Sequence, residues 1–246
     1  MSSEGIAHRI ETSIDAASCM HLLEREPKEQ AADWCYRVLL HNIQMLYMPP
    51  GAILREPDLA SRLDVSRTPV HEAIKRLIEA HLVYVAPKRA TFVSLIDMEV
   101  HAQGRFARTA VEPLLIAQLQ GHLTPEQHTD FAANIEHQEL MARQGANPRE
   151  VVAVDDQFHH LLYTHTGNEL VWQANRMVSA QFDRVRYMGL VLGYERLMVG
   201  EHDFILDILE TGDVPVIDIY DMVDAHLKGY RRFIDRLMVD HPEYFV

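Results

Sequence analysis

The stretch REPDLASRLDVSRTPVHEAIKRLIEAHLVYVAPKRATFV, Arg55 to Val93, decides the fold of the N-terminal part of this chain. Pro57 to Leu63 reads as a short helix with Leu59, Ala60 and Leu63 facing inward. Asp64 and Val65 make a tight turn. Ser66 then stands where a second helix needs an N-cap, and Pro69 falls in its first turn, where a missing N–H costs little. Val70, Ile74, Leu77 and Ile78 form the apolar stripe of that helix. The period then changes: Leu82–Ala86 and Thr91–Leu95 are β-rich and flank Pro87, Lys88, Arg89 and Ala90, a hairpin with a basic tip. Upstream, Trp34, Val38, Leu39 and Ile43 recur at helical spacing between Ala31 and Met48, and Pro49, Pro50 and Gly51 stop that helix. Helix, short helix, turn, helix and hairpin is the order of a winged helix-turn-helix.

From about Asp97 onward the chain reads as helix. Its breakers are Gly121, Gly145 to Pro148, Gly167, Gly193, Gly200 and Gly212 to Pro215. Five to seven helices fit between them, and loops this short favour antiparallel neighbours. The expected fold is mainly α, a winged helix-turn-helix followed by an antiparallel all-helical bundle. The expected division is an N-terminal extension (1–30, loose or carrying a short helix), a DNA-binding domain (31–96) and a helical effector-binding and dimerisation domain (97–246).

Of the 246 residues 48% are apolar and 24% charged, ordinary values for a globular chain with a sizeable core. No apolar run is long enough to span a bilayer, and the opening MSSEGIAHRIETS lacks a signal-peptide core. Cys19 and Cys35 lie at neither metal nor redox spacing, so a reducing cytoplasm is the expected location. The net charge of −13 argues at first against nucleic acid. It is unevenly spread: residues 1–30 carry −3, residues 31–95 carry +2 and residues 96–246 carry −12. The only basic excess lies over the winged region, and a local basic surface can bind phosphate on an acidic chain.

Ser66, Arg67 and Thr68 sit at the N-terminus of the second helix, the end that enters the major groove, where Arg reads guanine and Ser or Thr holds phosphate. Lys88 and Arg89 on the wing tip would reach the minor groove or the backbone. The same 39 residues, with MPPGAIL (Met48 to Leu54) ahead of them, resemble the winged helix-turn-helix of GntR-family transcription regulators, most specifically in the SRTPV run before an E-A-hydrophobic helix. That pattern usually carries Arg where this chain has His71, and Gly where it has His81 and Ala90. The resemblance implies a regulator that binds a palindromic double-stranded operator as a homodimer, expected to be a repressor.

Asp155 and His159 are four apart on a helix, so their Cβ atoms would lie roughly 5–6 Å from one another. Asp97/His101 and Asp156/His160 share that spacing, which therefore singles out none of them. A second observation does. His202 begins a helix that Gly212 and Asp213 break, and His226 lies eleven residues after Pro215. Going down ~15 Å and back up ~16 Å at the helical rise brings His226 beside His202. Three His and one Asp from three helices would then converge inside a bundle and suit a divalent transition metal, zinc first, with nickel, manganese or iron as alternatives. DDQFHHLLYTHTGNELV, EHDFILDILETGD and MVDAHL resemble the FCD effector domain of the FadR subfamily. In its metal-binding members the ligands fall on Asp155, His159, His202 and His226. Two extra residues between Asp213 and His226 depart from that pattern.

Open metal positions would accept a small carboxylate effector. Arg108, in the R-x-x-x-E of ARTAVE, is the first expectation for its second anchor, with Arg184 and Arg186 as further ones, because a guanidinium grips a carboxylate bidentately. A salt bridge from Arg108 to Glu112 is the competing reading. His101, His160 and His165 are expected at the surface, and Tyr187 and Met188 in the core or a pocket wall. A rival class is a metalloenzyme whose His₃Asp site activates water. No general base or hydrolase motif accompanies it, so the expectation is a regulator and not an enzyme.

Overall fold

The computed structural model describes residues 14–193 and 199–246. The start of the N-terminal extension, residues 1–13, lies outside the described residues. Among them the chain gathers into two compact units. One combines the stretch ending at His101 with Ala180–Met188 and Arg236–Val246, and the other combines Ala102–Ser179 with Gly189–Asp235.

In the first unit, helices α1 (Ala31–Gln44), α2 (Glu56–Leu63) and α3 (Arg67–Glu79) precede a small antiparallel sheet of β1 (Ile53–Leu54), β2 (Val83–Ala86) and β3 (Ala90–Val93), in the order β1-β3-β2. Tyr84 pairs with Phe92 and Ala86 with Ala90, so the wing register is set by its tight tip. Asp64 ends α2 in the left-handed conformation, which turns the chain into α3. Val70, Ala73, Ile74 and Leu77 bury the inner face of α3, while Ile78, expected in that stripe, is exposed. Ser66 occupies the N-cap position of α3, but its side chain makes no capping hydrogen bond.

The described part of the extension carries a short helix, of the 3-10 type, ahead of a segment without regular secondary structure. It makes a single 3-10 turn over Ala16–Cys19 and buries Ala16, Ala17 and Met20 in the winged-domain core. Ile53 N–H donates to the Ile14 carbonyl, and the Asn42 side chain bonds both the N–H and the C=O of His21. Cys19 and Cys35 are both free thiols.

Eight helices follow from Met98 among the described residues, more than the five to seven expected: α4 (Met98–Leu119), α5 (Pro125–Gln144), α6 (Pro148–His165), α7 (Glu169–Val178), α8 (Ala180–Val191), α9 (Val199–Thr211), α10 (Val216–Leu227) and α11 (Ile234–Asp240). The break between α7 and α8 falls at Ser179, whose hydroxyl bonds the Gly104 carbonyl, with neither Gly nor Pro to announce it. Pro113 lies inside α4 without ending it. At the close of α9, Gly212 has a positive φ, and a Cβ there would stand 3.0 Å from the Gly121 Cα. Gly121 N–H in turn donates to the Leu209 carbonyl, which holds the end of α4 against α9. Among the described residues no helix is long and apolar enough to cross a membrane.

Candidate functional site

Two sets of residues carry chemistry. On the first unit Ser66, Arg67, Thr68 and His71 are all exposed along the N-terminal turns of α3, and Lys88 and Arg89 are exposed at the wing tip. Lys88 takes a positive φ, the conformation that closes the three-residue tip of Pro87, Lys88 and Arg89. The position where the resemblance favours glycine at the end of α3, His81, also has a positive φ. Ala90, the other such position, does not. His71 Nδ1 lies 2.9 Å from Glu56 Oε1, so this side chain links α3 to α2. Arg76 belongs to the packing: it pairs with Asp33 of α1 and lies over the Tyr36 ring.

On the second unit, α6, α9 and α10 bring His159, His202 and His226 together, with one ligating atom from each within 4.8 Å of the others. Ring centroids are 5.2 Å apart for His202–His226 and His159–His202, and 5.3 Å for His159–His226. Asp155 stands beside the cluster, its Oδ1 3.7 Å from His202 Nε2. Phe158 stacks on His202 at 4.1 Å and forms an apolar wall.

What the other ring nitrogens do is the informative part. His202 Nδ1 is 2.8 Å from Gln138 Oε1 on α5. Gln138 is fixed by donating to Asn134 Oδ1, and Asn134 donates to the Val154 carbonyl. His226 Nδ1 is 2.6 Å from Glu201 Oε2, whose other oxygen takes a bond from Arg232. His159 Nδ1 is 3.2 Å from Glu112 Oε2, and Glu112 Oε1 accepts from Arg108 Nε at 2.7 Å. Acceptors thus bond the Nδ1 atoms of His202 and His226, while Glu112 lies near His159 Nδ1 without hydrogen-bond geometry. That arrangement assigns the His202 and His226 protons to Nδ1 and leaves their Nε2 lone pairs turned inward. Outer-shell acceptors of this kind orient metal-ligating histidines. The Nε2 atoms of His159 and His226 are 3.3 Å apart, a separation open to two donors bound to one ion at about 2.0–2.1 Å.

Burial dominates the electrostatics. His159 is held well below the ordinary imidazole value by desolvation, reinforced by Arg108, His202 and His226 and opposed by Asp155. It is therefore neutral, as a ligand must be. Burial pushes the Glu201 carboxyl up, but its bonds to His226 and Arg232 outweigh this and leave it lowered.

The three arginines differ in their partners. Arg108 is 4% exposed and paired with Glu112. Arg186 lies 3.8 Å from Asp183 and over the Tyr187 ring. Arg184 is fully buried, its Nη1 bonded to Gln181 Oε1, and among the described residues nothing accepts from its Nε or Nη2. Burial lowers its pKa to about 9. His101, expected at the surface, is 1% exposed and packs on Phe182. His160 and His165 are half-buried, and Tyr187 and Met188 are core. Sequence reasoning missed Gln138 and Glu201. Glu201 had one available signal, its place beside His202, whereas nothing in the sequence tied Gln138 to a residue 64 positions away.

A winged helix-turn-helix joined to a helical unit defines a DNA-binding transcription regulator. Residues 34–93 match the model of bacterial regulatory proteins of the gntR family, and residues 105–229 match that of the FCD domain. An HTH-type transcriptional regulator in an unstable DNA locus of Streptomyces ambofaciens is 32% identical over 85% of this chain and 87% of its own. The HTH-type transcriptional repressor RspR of Escherichia coli strain K12 is 26% identical over 89% and 95%. Among solved structures, a GntR transcriptional regulator from Rhodococcus sp. RHA1 superposes with a TM-score of 0.68 at 21% identity, covering 83% of this chain and 97% of that one. E. coli McbR/YncC gives 0.68 at 20%, covering 87% and 99%. The chain belongs to the GntR family of transcription regulators and carries an FCD domain. These relatives are regulators, not enzymes.

Proposed function

We propose that this protein is a metabolite-responsive repressor that binds a palindromic operator as a homodimer and holds a divalent transition metal in its helical unit. The observation that carries the metal reading is the convergence of three imidazoles, with one ligating atom from each within 4.8 Å of the others and acceptors bonded to the Nδ1 atoms of His202 and His226. His159, His202 and His226 would hold the ion, with Asp155 as the adjoining carboxylate. The nitrogen-rich donor set favours zinc, then nickel, iron or manganese. When bound, the ion supplies a Lewis-acidic point for an anionic oxygen.

A small carboxylate is the effector class that fits. Arg108, which shares the second unit with the histidines, is the proposed second anchor, with Arg184 and Arg186 of the first unit as further candidates; Arg108 and Arg186 have carboxylate partners, and Arg184 has none among the described residues. A fully buried guanidinium without an anion is costly, and a ligand carboxylate would offset that cost. Ser66, Arg67, Thr68, His71, Lys88 and Arg89 form the DNA-facing set. A single recognition helix reads few base pairs, and two-fold pairing doubles the site. Repression and effector response are linked only if the effector binds the DNA-bound and DNA-free arrangements with different affinity, by ~1–3 kcal/mol for a useful switch.

The test is operator binding by the purified protein, metal-loaded or stripped with chelator, with and without a panel of small mono- and dicarboxylates. The expected result is metal-dependent binding of one acid class that weakens operator affinity. Operator affinity indifferent to both metal and every acid would remove the effector part of the reading.

A further inference from the structure

Arg55 is exposed and occupies the N-cap position of α2, where its carbonyl accepts from the Asp58 and Leu59 N–H groups, both at 3.0 Å. Those bonds fix its backbone. On one side of it, Glu56 meets α3, with His71 Nδ1 2.9 Å from Glu56 Oε1. On the other side, Leu54 pairs with Thr91 in the antiparallel ladder of β1 and β3. One position further along that ladder Arg55 comes level with Ala90, next in sequence to Arg89 of the wing tip. Arg55 thus stands between the reading end of α3 and the wing. A helix in the major groove and a wing at the adjoining minor groove leave one sugar-phosphate strand between them. The side chain between the two elements faces that strand. Asp15 of the extension, outside the 34–93 stretch that matches the gntR family, reaches the same side chain: its Oδ2 lies 3.2 Å from Arg55 Nη1. Asp15 is itself held in place. Its Oδ1 accepts the Ala17 N–H, its carbonyl accepts the Ser18 N–H and hydroxyl, and its backbone bridges to Ile53.

We infer that Arg55 contacts the phosphate backbone between the two grooves and that Asp15 competes with DNA for it, so the N-terminal extension attenuates DNA binding. The inference rests on the DNA-facing set proposed above and adds to it a phosphate contact with a built-in competitor. Charge is the argument for competition. The ion pair is a single contact, with Arg55 49% and Asp15 34% exposed, so water and salt screen it and it opens at little cost. A phosphate that reaches Arg55 arrives beside the Asp15 carboxylate, a like charge, so each anion disfavours the other. The carboxylate cannot simply swing away, because the extension is anchored on both sides of it. Ile53 N–H bonds the Ile14 carbonyl, and the buried Asn42 side chain clamps the backbone of His21.

Fluorescence anisotropy of the full chain on a labelled random-sequence duplex, over a series of salt concentrations, tests this, because a phosphate contact needs no particular operator. Arg55→Gln should weaken binding about 3–10-fold and lower the slope of log affinity against log salt by about 1. Asp15→Asn keeps an oxygen for the Ala17 N–H and should tighten binding about 2–5-fold, the range that an exposed ion pair allows. In the Arg55→Gln background the same substitution should change affinity by less than about 1.5-fold, since a competitor is silent once its target is gone. Circular dichroism should stay parental in all three variants. Weaker or unchanged binding by Asp15→Asn, or an equal gain in both backgrounds, overturns the competition. Parental affinity and salt slope in Arg55→Gln overturn the inference as a whole. Lys88→Gln/Arg89→Gln on the same duplex separates the two readings: if it weakens binding while Arg55→Gln does not, the DNA-facing set stands and this inference alone falls. If neither variant weakens binding, both fall.

Discussion

His159 Nε2 on α6 and His226 Nε2 on α10 stand 3.3 Å apart, each on a ring whose Nδ1 faces a glutamate. Two inward lone pairs at that distance repel unless a proton or a cation lies between them. The fold holds them there beside Glu112 and Glu201, so protons would compete with any metal ion that the site binds.

The first prediction concerns that competition. The protein purified near pH 7.5 should carry close to one transition metal per chain by elemental analysis. His202→Ala/His226→Ala should lose it, and thermal stability should fall with it, because bound ion stabilises only the folded site. Glu201→Gln, which keeps the shape but weakens the hold on His226 Nδ1, should reduce metal affinity about 10–100-fold in a chelator competition. Full occupancy in the double variant removes the site.

Acid should destabilise the metal-free protein through His159. Its folded pKa is depressed well below 6.5 by burial, while the unfolded chain takes up a proton near 6.5. Below that pH the unfolded state binds more protons, so stability falls as pH drops, and the contribution is whole only above ~6.5. Melting curves from pH 7.5 to 5 should therefore show a smaller loss for His159→Gln than for the parent. Equal losses would locate the acid sensitivity elsewhere.

Arg67→Ala should weaken operator binding by about 1–3 kcal/mol if its side chain reads a base edge, and leave the melting temperature within a degree or two. Substituting Lys88 should instead weaken binding to all sequences alike and flatten the salt dependence. Gel-shift titrations on cognate and scrambled duplexes at two salt concentrations separate the two outcomes.

His81 carries a φ of 57° at an exposed position after α3. A side chain pays about 1 kcal/mol to sit there and glycine does not. His81→Gly should raise unfolding stability by about 0.5–1 kcal/mol in denaturant titration. A loss would mean that the imidazole makes a contact worth more than the strain.

Arg184→Met removes a buried cation with two partnerless nitrogens among the described residues and keeps most of the volume. It should stabilise the ligand-free protein by about 1–2 kcal/mol. Loss of the calorimetric response to an acid that binds the parent would give Arg184 a part in holding it. Arg108→Ala should instead destabilise, by leaving the Glu112 carboxylate buried without its partner. If Arg184→Met binds the acid with parental affinity, the anchor role fails.

The winged region was legible because its devices are local. A hydrophobic period, a turn residue and a proline position each act within a few residues, so Arg55–Val93 could be parsed without the rest of the chain. The short β1 and the extension were not legible. Ile53 forms a strand only because Thr91 and Phe92 are there to pair with it, and Ala16 and Met20 are buried by partners far along the chain. The break at Ser179 likewise answers to Gly104, 75 residues away.

The same division runs through the site. Sequence alone determined which side chains have ligand chemistry, and the helical rise determined that His202 and His226 return to one level, because those properties belong to single residues and single helices. Tertiary structure decided which nitrogen of each ring faces inward, because that depends on Gln138, Glu112 and Glu201 arriving from other turns and helices. It also decided the fate of the arginines. The R-x-x-x-E spacing offered Arg108 a partner in Glu112 without deciding whether it is used, and only packing commits Arg108 to that carboxylate and leaves Arg184 buried with two nitrogens lacking an acceptor among the described residues. A proton's position and a charge's partner are set by neighbours within about 3 Å, and in a folded chain those neighbours are seldom neighbours in sequence.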